Sequence, residues 1–408
     1  MMILKIKKIF KSIGPGFIIA AVVLGPGSIT VSSKIGSAEG YRLLWVIVVG
    51  AVAMSVYTTM SVRFGVTNEK SLLKVISEEY GKWLSVSIGI CSFLAALSFQ
   101  FGNNLGVGIG MHTLTGVGEY VWPLIFTPTA ILLTFYARKL FQVLELLMMV
   151  MVIVLILAFF INLLFIKPDL LGVAKGFVPT PVSGSNFNDI AALIGTTLVL
   201  HNAFFQSYLV QSKGWKTTDL TRSVRDANFG VFLLALMSCL VVVTSASFLK
   251  PLGITVNSAA DMAIQLELFL GSLARYIFGF GFVAAAFSSL MVNAVTGGGL
   301  IADSLGMGRT MDEKMPKVFT TVILLMGMSI AVFFNGNVIY ALIMAQASSI
   351  LGVPLIAIGL FLVLNNKAVM GRYINNKLQN LLAIAGFILI CVLVFFMYGK
   401  LIGYIGSL

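Results

Sequence analysis

Apolar windows long enough to cross a bilayer recur along almost the whole chain. A single helical crossing needs about 20 apolar residues. Only 10% of the 408 residues are charged and 59% are hydrophobic, which is too apolar for a soluble domain of this length. The pattern predicts an all-α membrane protein with about 11 transmembrane helices and no soluble domain. The windows lie near residues 14–35, 43–63, 84–110, 121–137, 141–166, 188–210, 228–249, 264–300, 318–335, 337–364 and 380–406.

Basic residues fall mainly in alternate loops between these windows. If the amino terminus is cytoplasmic, the inner loops carry most of them, as the positive-inside rule requires. We therefore expect a multi-pass protein of the cell membrane whose partner is the lipid bilayer. Topology accounts for most of the net charge of +12, and no basic run with interleaved aromatics indicates nucleic-acid binding.

The first window is interrupted near its middle by the stretch Gly25-Pro26-Gly27-Ser28. Proline lacks an N–H and clashes with the preceding turn, and glycine tolerates irregular dihedrals. The pattern predicts two half-helices, 18–24 and 28–35, separated by an unwound hinge. Lipid cannot satisfy open backbone groups, so such a hinge must face protein or a polar cavity. This makes it a candidate substrate site, with Thr30 one helical turn beyond it.

The sixth window carries His201 and Asn202 near its centre. One interpretation is a polar pair that bonds neighbouring helices, and the other is a second half of the substrate site. The pair lies five spans after the Gly-Pro-Gly break, as expected for two inverted five-helix repeats with unwound first helices. The chain is then a single domain, 1–408, with repeats at about 14–166 and 188–364 and an extra helix at about 380–406. The remaining candidates in the sixth window are Thr196, Thr197 and Val199.

Further polar residues lie in the third, eighth and tenth windows, where each is more typical of a bond between helices than of a ligand. Gln346 is the strongest ligand candidate among them, for the reason given next. The others are Gln100, Asn103, Asn104, Ser288, Ser289, Asn293, Ser348 and Ser349.

Several motifs resemble the natural resistance-associated macrophage protein (Nramp) family of metal-ion transporters over nearly the whole chain. The specific ones are Gly14-Pro15-Gly16-Phe17 with the Pro26-Gly27 hinge, and Gly40-Tyr41-Arg42-Leu43-Leu44-Trp45. His201-Asn202 resembles the family's sixth-helix motif, and Ala345-Gln346-Ala347 its tenth helix. The resemblance implies a leucine-transporter-like fold with spans one and six unwound, and alternating access.

The metal-binding positions of that family are altered in this chain. The family's first hinge reads Asp-Pro-Gly-Asn, where this chain has Gly25 and Ser28 at the two metal-binding positions. The family's Met before its sixth-helix His corresponds to Val199. A second family histidine corresponds to Gln206, and third-helix acids linked to proton movement align with Gln100 and Asn103. We therefore predict no metal site built on the family pattern.

A divalent cation needs carboxylate, imidazole or thioether ligands, and no Asp or Glu is expected near the bilayer centre. Hydrogen-bond donors are expected there instead, at the two helix starts and on hydroxyl, amide and imidazole groups. These donors suit a small inorganic anion, and we favour bicarbonate, with nitrate, formate and chloride fitting the same set. The predicted substrate-binding residues are Gly25, Gly27, Ser28, Thr30, Thr196, Thr197, Val199, His201, Asn202 and Gln346.

Two coupling ions fit the sequence. H⁺ would be carried by His201, with Gln100 and Asn103 as further coupling or gating candidates, whereas Na⁺ would be held by carbonyls and hydroxyls. The alternative function is a proton-coupled Mn²⁺ or Mg²⁺ transporter with a non-standard site. A membrane sensor or scaffold ranks third, and a channel is not distinguished from a transporter. The sequence contains no recognisable nucleophile–base pair or phosphate loop, so an enzyme is not predicted. We expect a monomer without a cofactor.

Overall fold

The computed structural model describes residues 25–135, 138–180, 187–310 and 312–405, and in these ranges it contains α-helices and short 3₁₀ turns but no strand. The side chains of 138–149 and 399–405 are outside the description. The helices are α1 (Pro26–Glu39), α2 (Leu44–Thr67), α3 (Leu72–Tyr80), α4 (Lys82–Thr115), α5 (Val121–Phe135), α6 (Arg138–Ile166), α7 (Leu170–Gly176), α8 (Phe187–Thr197), α9 (Leu200–Ser212), α10 (Leu220–Phe248), α11 (Ala259–Ile264), α12 (Glu267–Leu270), α13 (Ala274–Ser304), α14 (Lys314–Phe333), α15 (Val338–Ser348), α16 (Val353–Leu364), α17 (Lys367–Met370) and α18 (Lys377–Ile405).

The predicted all-α membrane architecture is confirmed, since helices occupy every apolar window within the described ranges and eight candidate spans among them are long and apolar enough to cross a membrane. Of the first window only α1 is described, and the predicted half-helix 18–24 lies outside the described residues, as does the motif at 14–17. The second half-helix begins at Pro26 rather than Ser28. Proline suits the first position of a helix, because its fixed φ is already helical and the N–H there has no intrahelical acceptor.

The sixth span is broken as predicted, with Leu198 and Val199 between α8 and α9. The tenth span is also divided, by the 3₁₀ turn Ser349–Gly352 between α15 and α16, which the sequence analysis did not predict. The window 264–300, predicted as one span with room for a short extra turn, is a single candidate span over Glu267–Ser304, in which α12 and a 3₁₀ turn precede the long helix α13. The leucines of α12 extend the apolar pattern beyond the true helix start.

Helices α4 and α13 form the centre of the bundle and pack along most of their lengths. Small residues allow this close approach, as is common between membrane helices. A Cβ on Gly297 of α13 would lie 2.4 Å from the Cβ of Ala96 on α4. The window containing α13 is 78% buried inside the protein, whereas that of α18 is only 22% buried. Helix α18 is therefore peripheral, and α13 lies at the centre of the bundle, where it can line a binding site.

Candidate ion-binding site at the helix breaks

The start of α1 is fixed by a notch on α4. Gly25 precedes the helix in extended conformation, with φ −80° and ψ 176°. A Cβ on Gly106 of α4 would lie 2.3 Å from the Cγ of Pro26, so the proline ring occupies the space that a side chain at 106 would need. The backbone N–H of Gly27 is in the first turn, where it has no acceptor within the helix. The break is thereby held against the central helix of the bundle.

Gln346 on α15 links the two breaks through three glycines. Its Nε2 atom is 2.0 Å from the position of a Cβ on Gly27 and 3.4 Å from that of a Cβ on Gly102. The backbone carbonyl oxygen of Gln346 is 2.3 Å from the position of a Cβ on Gly195, in the helix that leads to the second break. The side-chain Oε1 of Gln346 is buried and has no hydrogen-bond partner among the described residues. An acceptor is thus available beside the first break.

The start of α9 offers fewer free donors than the sequence analysis expected. Val199 precedes the helix with φ −87° and ψ 75°. The N–H of Leu200 donates to the Leu198 carbonyl at 3.1 Å, and that of Asn202 donates to the Val199 carbonyl at 3.1 Å. Two N–H groups of the first turn are therefore already bonded, because the tight break brings local carbonyls within reach.

Asn293 of α13 joins His201 and Asn202 to Ser289. Its Oδ1 accepts from His201 Nε2 at 3.2 Å and from Asn202 Nδ2 at 3.1 Å, and its Nδ2 donates to Ser289 Oγ at 2.8 Å. The Phe99 ring lies beside the imidazole, with centroids 5.5 Å apart. The expectation that a neutral His201 offers its N–H to an anion is corrected here, because Asn293 accepts that hydrogen.

The space beside Gly25 is bordered by polar atoms of α13 and α4. A Cβ on Gly25 would lie 3.0 Å from Ser289 Oγ and 3.4 Å from Asn103 Oδ1. The Nδ2 of Asn103 is buried and has no partner among the described residues. The absence of a side chain at position 25 thus leaves a hydroxyl and an amide oxygen facing the break.

Several predicted hydroxyl donors are already bonded to backbone. Ser28 donates to the Gly25 carbonyl at 3.1 Å, while Thr196 and Thr197 both donate to the Leu193 carbonyl, at 2.8 and 2.9 Å. Such bonds to carbonyls three or four residues back are usual for Ser and Thr in helices. Thr197 moreover faces α2, since a Cβ on Gly50 would lie 3.2 Å from its Cβ. These three hydroxyl protons are therefore bonded within the protein in this structure, and their part in substrate binding stays a prediction.

The structure separates two residues that the sequence analysis grouped for coupling. Asn103 reaches Gly25, but Gln100 packs against α14, where a Cβ on Gly327 would lie 2.6 Å from its Cγ. Both amide atoms of Gln100 are buried without a partner among the described residues. Thr30 is likewise buried, with an unpartnered Oγ1 in the described part.

No side chain of the described residues brings a carboxylate to the breaks. Asp303 lies in the last turn of α13, where its Oδ2 accepts from the Tyr208 hydroxyl at 2.6 Å. The side chain of Glu145 is in the part of α6 that is not described. Nowhere in the described ranges do three His, Cys, Asp or Glu side chains converge to hold a metal ion. Among the described side chains, those at the centre carry no charge when His201 is neutral. The predicted site is also buried, since its most exposed side chain, Ser28, is only 4% exposed.

Comparison with known proteins places the chain. The family model described as natural resistance-associated macrophage protein-like matches residues 16–398. The chain belongs to the Nramp family. It is 26% identical over 373 residues to the divalent metal cation transporter MntH of Bacillus subtilis, covering 90% of this chain and 86% of that protein. Another MntH, from Staphylococcus saprophyticus, is 24% identical over 401 residues, covering 92% and 89%.

Solved structures of other transporters share the fold of this chain. A crystal structure of a mutant manganese transporter from Eremococcus coleocola matches with a TM-score of 0.77 at 18% identity, covering 93% of this chain and 84% of that one. The nucleobase-cation-symport transporter Mhp1 matches with a TM-score of 0.59 at 13% identity, covering 95% and 93%. The predicted leucine-transporter-like architecture is confirmed, while the repeat boundaries stay a prediction.

Two residues of α13 that border the first helix break were not predicted as substrate-binding residues. Ser289 and Asn293 were interpreted as bonds between helices, although they lie four residues apart in one span. That spacing places both on one helix face and was the available signal. What the sequence did not show is that this face points at His201 and Gly25.

Proposed function

We propose that this Nramp-family chain is a secondary transporter that carries a small inorganic anion, with bicarbonate as the favoured substrate, through the paired helix breaks by alternating access. The observation that carries the proposal is the surround of Gly25 and His201, which offers hydrogen-bond donors and, among the described side chains, no carboxylate. We expect the protein in the cell membrane as a monomer, with its amino terminus in the cytoplasm.

The ligand set at the breaks disfavours a divalent cation. Mn²⁺ and Mg²⁺ are held by carboxylates and, for Mn²⁺, imidazole, and dehydration is costly when only neutral oxygens replace the lost water. Gly25 and Ser28 supply no carboxylate, and Val199 supplies no thioether. The one imidazole at the site already donates Nε2–H to Asn293. Its Nδ1 remains as a single nitrogen ligand.

The donors that remain suit an anion with its own proton. The Gly27 N–H and the hydroxyl of Ser289 can donate to oxyanion oxygens, while Asn103 turns its Oδ1, an acceptor, towards Gly25. The positive end of the α1 dipole adds to this attraction. The unpartnered Oε1 of Gln346 can accept the bicarbonate hydroxyl, a contact that nitrate and chloride cannot make. This last feature favours bicarbonate within the anion class.

A divalent metal cation, coupled to protons, is the second candidate, and the names of the relatives favour it. Both MntH proteins are named divalent metal cation transporters, and the matched crystal structure is of a manganese transporter. In this case His201, Asn202 and Gln346 would supply the protein ligands. Protonation of His201 is the coupling step we propose for either substrate, with Na⁺ as the alternative coupling ion.

Uptake into liposomes that contain the purified protein separates the two candidates. Labelled bicarbonate, nitrate and Mn²⁺ are supplied in parallel, with protein-free liposomes and the His201→Ala variant as controls. Saturable bicarbonate uptake that His201→Ala reduces supports the proposal. Saturable Mn²⁺ uptake without anion uptake rejects it and establishes the metal candidate.

A further inference from the structure

We propose that Ser289 and Asn293 of α13 form a donor wall of the ion site, in which Asn293 fixes the direction of the Ser289 proton. This inference rests on the proposed anion function and names residues that would contact or orient the ion. Asn293 makes hydrogen bonds to three side chains, those of His201, Asn202 and Ser289.

The direction of these bonds follows from the His201 end of the network, where Asn293 accepts twice. Asn202 Nδ2 can only donate, and it lies 3.1 Å from the Asn293 atom that also receives the His201 Nε2–H. The structure places the carbonyl oxygen of Asn293 at that position. Its NH₂ group consequently points to Ser289 and donates at 2.8 Å.

The consequence falls on the Ser289 hydroxyl. A hydroxyl oxygen that accepts from an amide keeps its own proton for another acceptor. Ser289 Oγ lies 3.0 Å from where a Cβ on Gly25 would be, beside the unwound end of α1. Ser289 and Asn293 are 1% exposed, so no bulk water competes for that proton. The proton is thus offered at the break, where an anion would accept it.

If these bonds had a purely structural role, they would only hold α9 against α13. The substitution Asn293→Asp separates the two roles. The new carboxylate still accepts from both His201 and Asn202, so the link between helices is kept. It cannot donate to Ser289, whose proton would turn towards the carboxylate, and it adds negative charge to the site.

Ser289→Ala is the second variant, because it removes the donor with little change in volume. Ser288→Ala is the matched control, since Ser288 is the neighbouring residue on α13 and takes part in none of these bonds. Bicarbonate and nitrate uptake, together with melting temperature in detergent, are measured for all four proteins. The free energy of a hydrogen bond to a charged group is large enough that losing the bond raises KM about tenfold or more.

We expect Ser289→Ala and Asn293→Asp to raise KM for bicarbonate by about tenfold or more, with Ser288→Ala unchanged and the Ser289→Ala melting temperature near the wild-type value. An anion-carrying wild type with unchanged KM in Ser289→Ala overturns the donor wall alone. A drop in maximal rate that tracks a lower melting temperature, at constant KM, assigns these residues a structural role and also overturns it. A wild type that carries no anion overturns the proposed function, and the donor wall with it.

Discussion

The amide nitrogen of Gln346 lies 2.0 Å from the position that a Cβ on Gly27 would occupy. The side chain of Gln346 therefore covers the first turn of α1 at the break, and only glycine permits this. The same contact places the unpartnered Oε1 of Gln346 near the candidate site. This pairing of a small residue with a polar one leads to the first prediction.

Gly27→Ala is expected to abolish uptake of the transported ion while leaving the protein folded. The added methyl group displaces the end of a flexible side chain, so Gln346 can turn away, but the acceptor is then lost from the site. Uptake into liposomes and the melting temperature in detergent check this. Gly386→Ala on the peripheral helix α18 is the control, because its Cβ would lie 3.3 Å from the Cβ of Ala53, a much wider spacing. Wild-type uptake by Gly27→Ala would show that Gln346 is dispensable.

Gly195→Ala is expected to destabilise the protein rather than only inactivate it. Here the Cβ would lie 2.3 Å from the backbone oxygen of Gln346, which cannot rotate away. Helices α8 and α15 must separate, and overpacking of this kind typically costs about 1–3 kcal/mol. The melting temperature of Gly195→Ala should therefore fall well below that of Gly27→Ala. Equal melting temperatures would contradict the rigid-contact argument.

Ser28→Asp is expected to abolish anion uptake, because it places a negative charge at the start of α1. Ser28 is only 4% exposed, so solvent screens the new charge poorly. Ser28→Asn has nearly the same shape without the charge and is the matched control. If the protein carries Mn²⁺ instead, the same substitution should raise Mn²⁺ uptake, so parallel measurement of both ions makes either result informative. Unchanged bicarbonate uptake in Ser28→Asp would contradict the anion site.

Tyr208→Phe is expected to lower stability through the loss of its 2.6 Å bond to Asp303, which ties the far end of α9 to α13. Bonds to charged groups are worth about 1.5–3 kcal/mol. The effect should shrink in an Asp303→Asn background, since the two side chains act on each other. Tyr80→Phe is the control, because the Tyr80 hydroxyl donates to the Leu362 carbonyl instead. Melting temperatures of the single and double variants test this, and strictly additive effects for Tyr208 would refute the coupling.

The sequence by itself determined the membrane architecture, the start of α1 at the Gly-Pro-Gly stretch and the break in the sixth span. Apolar length and charge distribution dictate where helices cross, and proline with glycine at 25–27 dictates where one cannot continue. The substitution of Gly25 and Ser28 for acidic and amide ligands was equally visible, because ligand chemistry depends on residue type alone. These features are local, so a linear pattern suffices to predict them.

The tertiary structure alone decided which donors remain available. The hydroxyls of Thr196 and Thr197 and the imidazole N–H of His201 have suitable chemistry, yet neighbouring carbonyl groups already accept their hydrogens. Asn293 and Ser289 became site candidates only because α13 packs at the centre of the bundle. Hydrogen bonds are directional and saturable, so the identity of a donor is fixed by its residue type, but its availability is fixed by the helices packed around it.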